Sequence, residues 1–68
     1  MTPEVLYSKH ARQRMVLRGI SRKEVEAAIR SGSKTRQGGR IVSNYHYFAV
    51  VYVVQKNRCF VITVKPRW

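Results

Sequence analysis

Acidic residues are nearly absent from this chain. Glu4, Glu24 and Glu26 are its only carboxylate side chains, against fourteen Lys and Arg, for a formal net charge of +11. So few acids leave no paired-carboxylate site for acid–base work. Cysteine is as scarce: Cys59 stands alone, which excludes an internal disulfide and leaves no CxxC metal pair. With only His10 and His46 as imidazoles, no metal site and no cofactor are expected. No Ser/His/Asp constellation and no P-loop is present. The longest apolar run, Phe48 to Val54, is far too short to span a bilayer, and no signal-peptide pattern opens the sequence. These absences point to a soluble protein of a reducing compartment, the cytoplasm. Its 68 residues suffice for one small core, so residues 1–68 read as a single domain.

A surface this basic repels copies of itself and attracts polyanions: nucleic acid, an anionic membrane face or an acidic protein. The cations run from Lys9 to Arg67 with no polybasic tail, and no basic amphipathic helix carries Trp or Phe on one side. A membrane-surface peptide is therefore disfavoured, and nucleic acid leads.

The stretch from Ser8 to Gly32 organises the chain. Ser8 can cap a first helix, about Ser8 to Arg18, and Gly19 can close it in the left-handed conformation. Ser21 and Glu24 form a capping box for a second helix, about Arg22 to Ser31, which Gly32 ends. In the first helix Ala11 and Met15 lie together, whereas Val16 and Leu17 point elsewhere. In the second, Val25, Ala28 and Ile29 make the i, i+3, i+4 triplet of a buried face, to which Ile20 can staple. His10, Arg14 and Arg18 recur at spacings of four and climb one side of the first helix. An imidazole and two guanidiniums in a row suit a phosphate diester.

After Gly32 the period becomes strand-like. Ser33–Gln37 and Arg40–Asn44 flank a Gly38-Gly39 hairpin signal, and Tyr45–Gln55 and Arg58–Lys65 flank Lys56-Asn57. Met1 to Tyr7 reads as a short extended segment anchored by Val5 and Leu6. The expected fold is α+β, two N-terminal helices on one face of a three- to four-stranded antiparallel sheet. Counting outward from Lys56-Asn57 pairs Val53 with Phe60, Val51 with Ile62 and Ala49 with Val64, and this face is assigned to the helices. The opposite face, with Phe48, Tyr52, Cys59 and Val61, is too apolar for water. It predicts either association with a second chain or cover from loops and Trp68.

The pattern H-x-x-x-R-x-x-x-R-G-I-S-x-x-E-V-x-x-A-I-x-x-G, from His10 to Gly32, resembles the opening of a small bacterial domain family of uncharacterised function. Val61-Ile62-Thr63-Val64 approximates that family's last strand. The family is similar in layout to the ribonuclease toxins of the RelE and barnase-like group. The resemblance implies a RelE-like toxin paired with an antitoxin, and singles out His10, Arg14 and Arg18, with Lys65 or Arg67 as cations from the last strand.

Metal-free RNA cleavage needs a base, an acid and cations around the phosphorane. His10 and His46 are the candidates for base and acid, with Arg14 and Arg18 completing the catalytic set. Lys9, Arg14, Arg18, Lys65, Arg67 and Tyr45 are the candidate nucleic-acid contacts. Tyr47 and Trp68 are further stacking platforms. Each has a plainer reading: a satisfied rim histidine, Arg18 paired with Glu24, His46 as a polar strand residue, Cys59 as a buried hydrophobe. Three functions stay open. One is a metal-independent endoribonuclease toxin with an acidic antitoxin as partner. The others are a non-catalytic nucleic-acid-binding module, and an interaction protein, including a homodimer, that pairs through its apolar sheet face.

Overall fold

The computed structural model describes residues 4–67. The elements are β1 (Glu4–Tyr7), α1 (Lys9–Arg18), α2 (Arg22–Ser31), β2 (Ser33–Gln37), β3 (Arg40–Tyr45), β4 (Phe48–Gln55) and β5 (Arg58–Pro66). They build a five-stranded sheet in the order β1-β5-β4-β3-β2. The sheet exceeds the expected three to four strands because the N-terminal segment joins it. Val5 and Tyr7 pair in parallel with Cys59 and Val61, so the sheet is mixed and not wholly antiparallel. Trp68, expected to cover apolar surface or stack on a base, lies outside the described residues.

Both helices start and stop where the sequence punctuates them. The Ser8 hydroxyl accepts from the Ala11 amide at 3.0 Å, and Gly19 closes α1 at φ 67°. In α2 the capping box is complete: the Ser21 amide donates to Glu24 Oε1 and the Glu24 amide to Ser21 Oγ. Gly32 ends α2 for a different reason, close approach, since its φ of −71° suits any residue. A Cβ there would collide with Ser43 Oγ and sit 2.8 Å from the Asn44 carbonyl. The fully buried Ser43 hydroxyl donates to the Ala28 carbonyl, tying α2 to β3.

The hairpins fall at Gly38-Gly39 and Lys56-Asn57, as expected, and a third tip, His46-Tyr47, separates β3 from β4. Tyr45 thus belongs to β3, and His46 is a turn residue, not a strand residue.

The face assignment requires a correction. The pairs Gln55–Arg58, Val53–Phe60 and Tyr52–Val61 match the expected register. Between Val51 and Tyr52 the ladder then slips, so that Val51 opposes Thr63 and Val50 opposes Val64, leaving Ile62 as the extra residue of a β-bulge. The helices cover Phe48, Val50, Tyr52, Cys59, Val61 and Val64, with Ala11, Met15, Ile20, Val25 and Ala28 above them. Val42, Ala49, Val51 and Ile62 form a smaller cluster on the other side. Phe60 also faces away from the helices and is 43% exposed. Size complementarity explains the choice: α1 and α2 present Ala11 and Ala28, both 0% exposed, and small helix residues let large sheet residues such as Phe48 and Tyr52 enter. Tyr52, Phe48 and Val61 are core, so the association expected through that face has no surface to use.

Ser8 fastens the two layers together. Its amide donates to the Val61 carbonyl and its hydroxyl donates to the Ile62 carbonyl at 2.8 Å, at the bulge. Ser8→Ala removes a cap and leaves a part-buried carbonyl unpaired. It is expected to cost about 2–3 kcal/mol, against about 1 for the exposed cap in Ser21→Ala. Urea denaturation of both variants measures this, and equal losses would contradict the tie to β5.

Candidate nucleic-acid interface

The expected site residues fall into two groups that share β5. The first lies along α1. Spacing of four keeps His10, Arg14 and Arg18 on one flank, beside the buried Ala11/Met15 stripe. His10 and Arg18 are exposed and Arg14 half-buried. No hydrogen bond or ion pair among the described residues occupies these three side chains. Glu24, the suggested partner of Arg18, is spent on the Ser21 amide. Lys9 stands at the start of α1, exposed, on its outward face.

The second group gathers where the β3–β4 turn meets the end of β5. Arg67 closes on that turn: its amide donates to the Tyr47 carbonyl at 3.0 Å and its Nη1 to the His46 carbonyl at 3.3 Å. The His46 ring lies 4.0 Å from the Tyr45 ring, centroid to centroid, tilted by 58°. Tyr47 meets Phe48 edge-on at 5.3 Å and keeps 54% of its surface exposed. Lys65, opposite Ala49, is exposed on the face away from the helices. The turn thus offers aromatic surface beside cations, the combination that holds unpaired bases and phosphates.

His46 has a backbone φ of 53°, a region that residues other than Gly rarely enter. A β-hairpin turn would ordinarily place Gly or Asn there. Lys56 and Asn57 at the β4–β5 tip share this conformation at φ 47° and 65°, so it belongs to the tight hairpin geometry of both turns.

Among the described residues no hydrogen bond, ion pair or ring contact joins His10 to His46. The two histidines stand on different elements and do not form a preassembled acid–base pair. Nor does a nucleophile substitute. Burial pushes the Cys59 thiol up, and burial together with the neighbouring Cys59 raises Tyr52, so both stay protonated and under the helices. No cluster of three or more His, Cys, Asp or Glu among the described residues can hold a metal ion. No described helix is long and apolar enough to cross a membrane.

Two features escaped the sequence reading. The His46-Tyr47 turn carries no Gly or Pro to announce it. Arg22 stacks over the Tyr7 ring at 5.6 Å to the centroid, holding α2 against β1. Burial and Glu26 raise the Tyr7 hydroxyl, with Arg22 opposing, and that hydroxyl has no hydrogen-bond partner among the described residues.

Comparison with known proteins adds three findings. The sequence profile of a domain of unknown function, DUF4258, matches residues 7–65. No curated protein matches the chain. Among solved structures, a chain of the toxin–antitoxin complex RelBE2 from Mycobacterium tuberculosis superposes with a TM-score of 0.68 at 14% identity. The match covers 98% of this chain and 100% of that one, so the two share a fold.

If the His46 conformation serves a ligand, His46→Gly relieves strain worth about 1–2 kcal/mol while losing up to about 1 to glycine's freedom when unfolded. The variant should match or exceed wild-type stability in thermal denaturation yet bind a single-stranded oligonucleotide more weakly. A clear stability loss with unchanged binding would make the imidazole–Tyr45 contact purely structural.

Proposed function

For a chain that belongs to the DUF4258 family, we propose the role of an RNA-directed, toxin-like domain: a metal-independent endoribonuclease working in the cytoplasm under control of an acidic partner protein. The observation that carries this reading is the uncompensated charge. Of three acids, Glu24 caps α2 and Glu4 pairs with Arg58 at 3.2 Å, so almost nothing within the protein balances its fourteen cations. A polyanion supplies the missing charge, and the aromatic turn at Tyr45–Tyr47 favours one with unpaired bases. The fold shared with a chain of a toxin–antitoxin complex supports the pairing with a second protein.

In the proposed reaction His10 takes the proton from a 2′-hydroxyl or delivers one to the leaving 5′-oxygen, and His46 serves the complementary step. Arg14 and Arg18 stabilise the phosphorane, with Arg favoured for its bidentate fit to phosphate. Lys9, Lys65, Arg67 and Tyr45 hold the flanking nucleotides. A non-catalytic RNA-binding module is the second reading, favoured by the lack of contact between the two histidines. In that case the same cations only grip phosphate.

Cleavage of a labelled RNA in EDTA separates the two. His10→Ala is expected to lower the rate about a hundredfold to ten-thousandfold while fold and affinity hold. Full activity in that variant removes His10 from the catalytic set, and no cleavage by the wild type leaves only the binding module. RNA affinity itself should fall steeply with salt, the log–log slope reaching several units if about five phosphates are contacted. A flat slope contradicts both readings.

A further inference from the structure

The outward face of α1 carries the two most exposed large apolar residues among those described, Val16 at 83% and Leu17 at 71%. They stand opposite the buried Ala11 and Met15. With Gln13 they occupy i, i+3 and i+4 of one helix face, where side chains adjoin. Lys9 and Arg12 flank them, and all five line one open, shallow depression of about 510 Å³. Nothing in the fold calls for these apolar groups: α1 packs on β5 through its other side, and polar residues here would leave the core unchanged. Helix α1 also contains no acid at all, while carrying Lys9, Arg12, Arg14 and Arg18.

The geometry points to this face as a docking site for a partner protein that presents an acidic amphipathic helix. Apolar residues of that helix cover Val16 and Leu17, and its carboxylates meet Lys9 and Arg12. The inference rests on the proposed toxin-like role and specifies where its partner binds. A second copy of this chain fits poorly, because a two-fold contact through α1 sets Lys9 and Arg12 against equivalent cations, with +11 on each side. An anionic membrane fits poorly too, since the patch has neither Trp nor Phe to insert. A helix seated here stands next to the His10, Arg14 and Arg18 flank, so docking and RNA binding contend for one side of the protein.

The probe is a synthetic helical peptide with leucines at i, i+3, i+4 and i+7 and glutamates on its flanks. A scrambled peptide of the same composition is the control, and binding to the full chain is read by fluorescence anisotropy. The double variant Val16→Ser/Leu17→Ser alters only exposed positions and should fold as the wild type does. The wild type should bind the amphipathic peptide at least tenfold more tightly than the scrambled one, and the variant should lose that preference while keeping its RNA affinity. Equal binding of both peptides, or an unaltered preference in the variant, overturns the inference. So does a wild-type dimer in sedimentation, or adsorption to phosphatidylserine vesicles, that the double variant abolishes. Failure of RNA cleavage or RNA binding in the wild type, with the peptide preference intact, refutes the proposed function and leaves the docking face standing.

Discussion

One hydroxyl group joins the two halves of this protein. Ser8 accepts from the Ala11 amide, starting α1, and donates to the carbonyl of Ile62, the extra residue of the β5 bulge. A bulge leaves its additional residue outside the ladder, and a carbonyl left unpaired under a helix is costly. The N-cap supplies the partner that the strand pairing cannot. The bulge in turn puts Val64 on the same face as Val50 and Val61, and this completes the floor on which Ala11 and Met15 rest. Helix start, strand irregularity and core composition are therefore a single constraint.

That constraint also arranges the candidate site. Because Ser8 ties the start of α1 to the bulge, that helix end is fixed to the strand that carries Lys65 and leads into Arg67. Arg67 then reaches back to the His46-Tyr47 turn through two hydrogen bonds. Of its acids the protein spends Glu24 on a cap and Glu4 on Arg58, and among its cations Arg22 stacks on Tyr7, Lys34 donates to the Gly32 carbonyl and Arg67 to the His46 carbonyl. The core consumes apolar side chains and two serine hydroxyls, Ser8 and Ser43, but hardly any charge.

Much of the architecture was legible because short-range chemistry dictates it. Ser8, Gly19, Ser21 and Glu24 mark helix ends through local hydrogen bonds, and Gly38-Gly39 and Lys56-Asn57 mark turns, the latter pair at φ 47° and 65°. The core-facing triplet of buried Val25 and Ala28 with half-buried Ile29 follows from helical period alone. Illegible was everything that depends on comparing distant segments. β4 and β5 are apolar on both faces, so alternation cannot say which side meets the helices, and the one-residue slip at the bulge moves Val64 to the face of Val50 and Val61. β1 announces itself weakly in four residues and is stabilised mainly by pairing with β5. For the site, residue types and spacing singled out His10, Arg14 and Arg18. Only the fold shows that His46, Tyr45 and Arg67 form a separate cluster, because a turn without Gly, Asn or Pro has no local signature.

The central proposal is that the cations of α1 and those at the end of β5, beside the β3–β4 turn, serve one RNA ligand. Amide chemical-shift mapping with the labelled chain and a short single-stranded RNA tests it most directly. The account predicts perturbations concentrated at His10–Arg18, at Tyr45–Tyr47 and at Lys65–Arg67, with the Gly38-Gly39 and Lys56-Asn57 tips unaffected despite the basic residues beside them. Shifts spread evenly over every basic residue, or centred on those two tips, would contradict it.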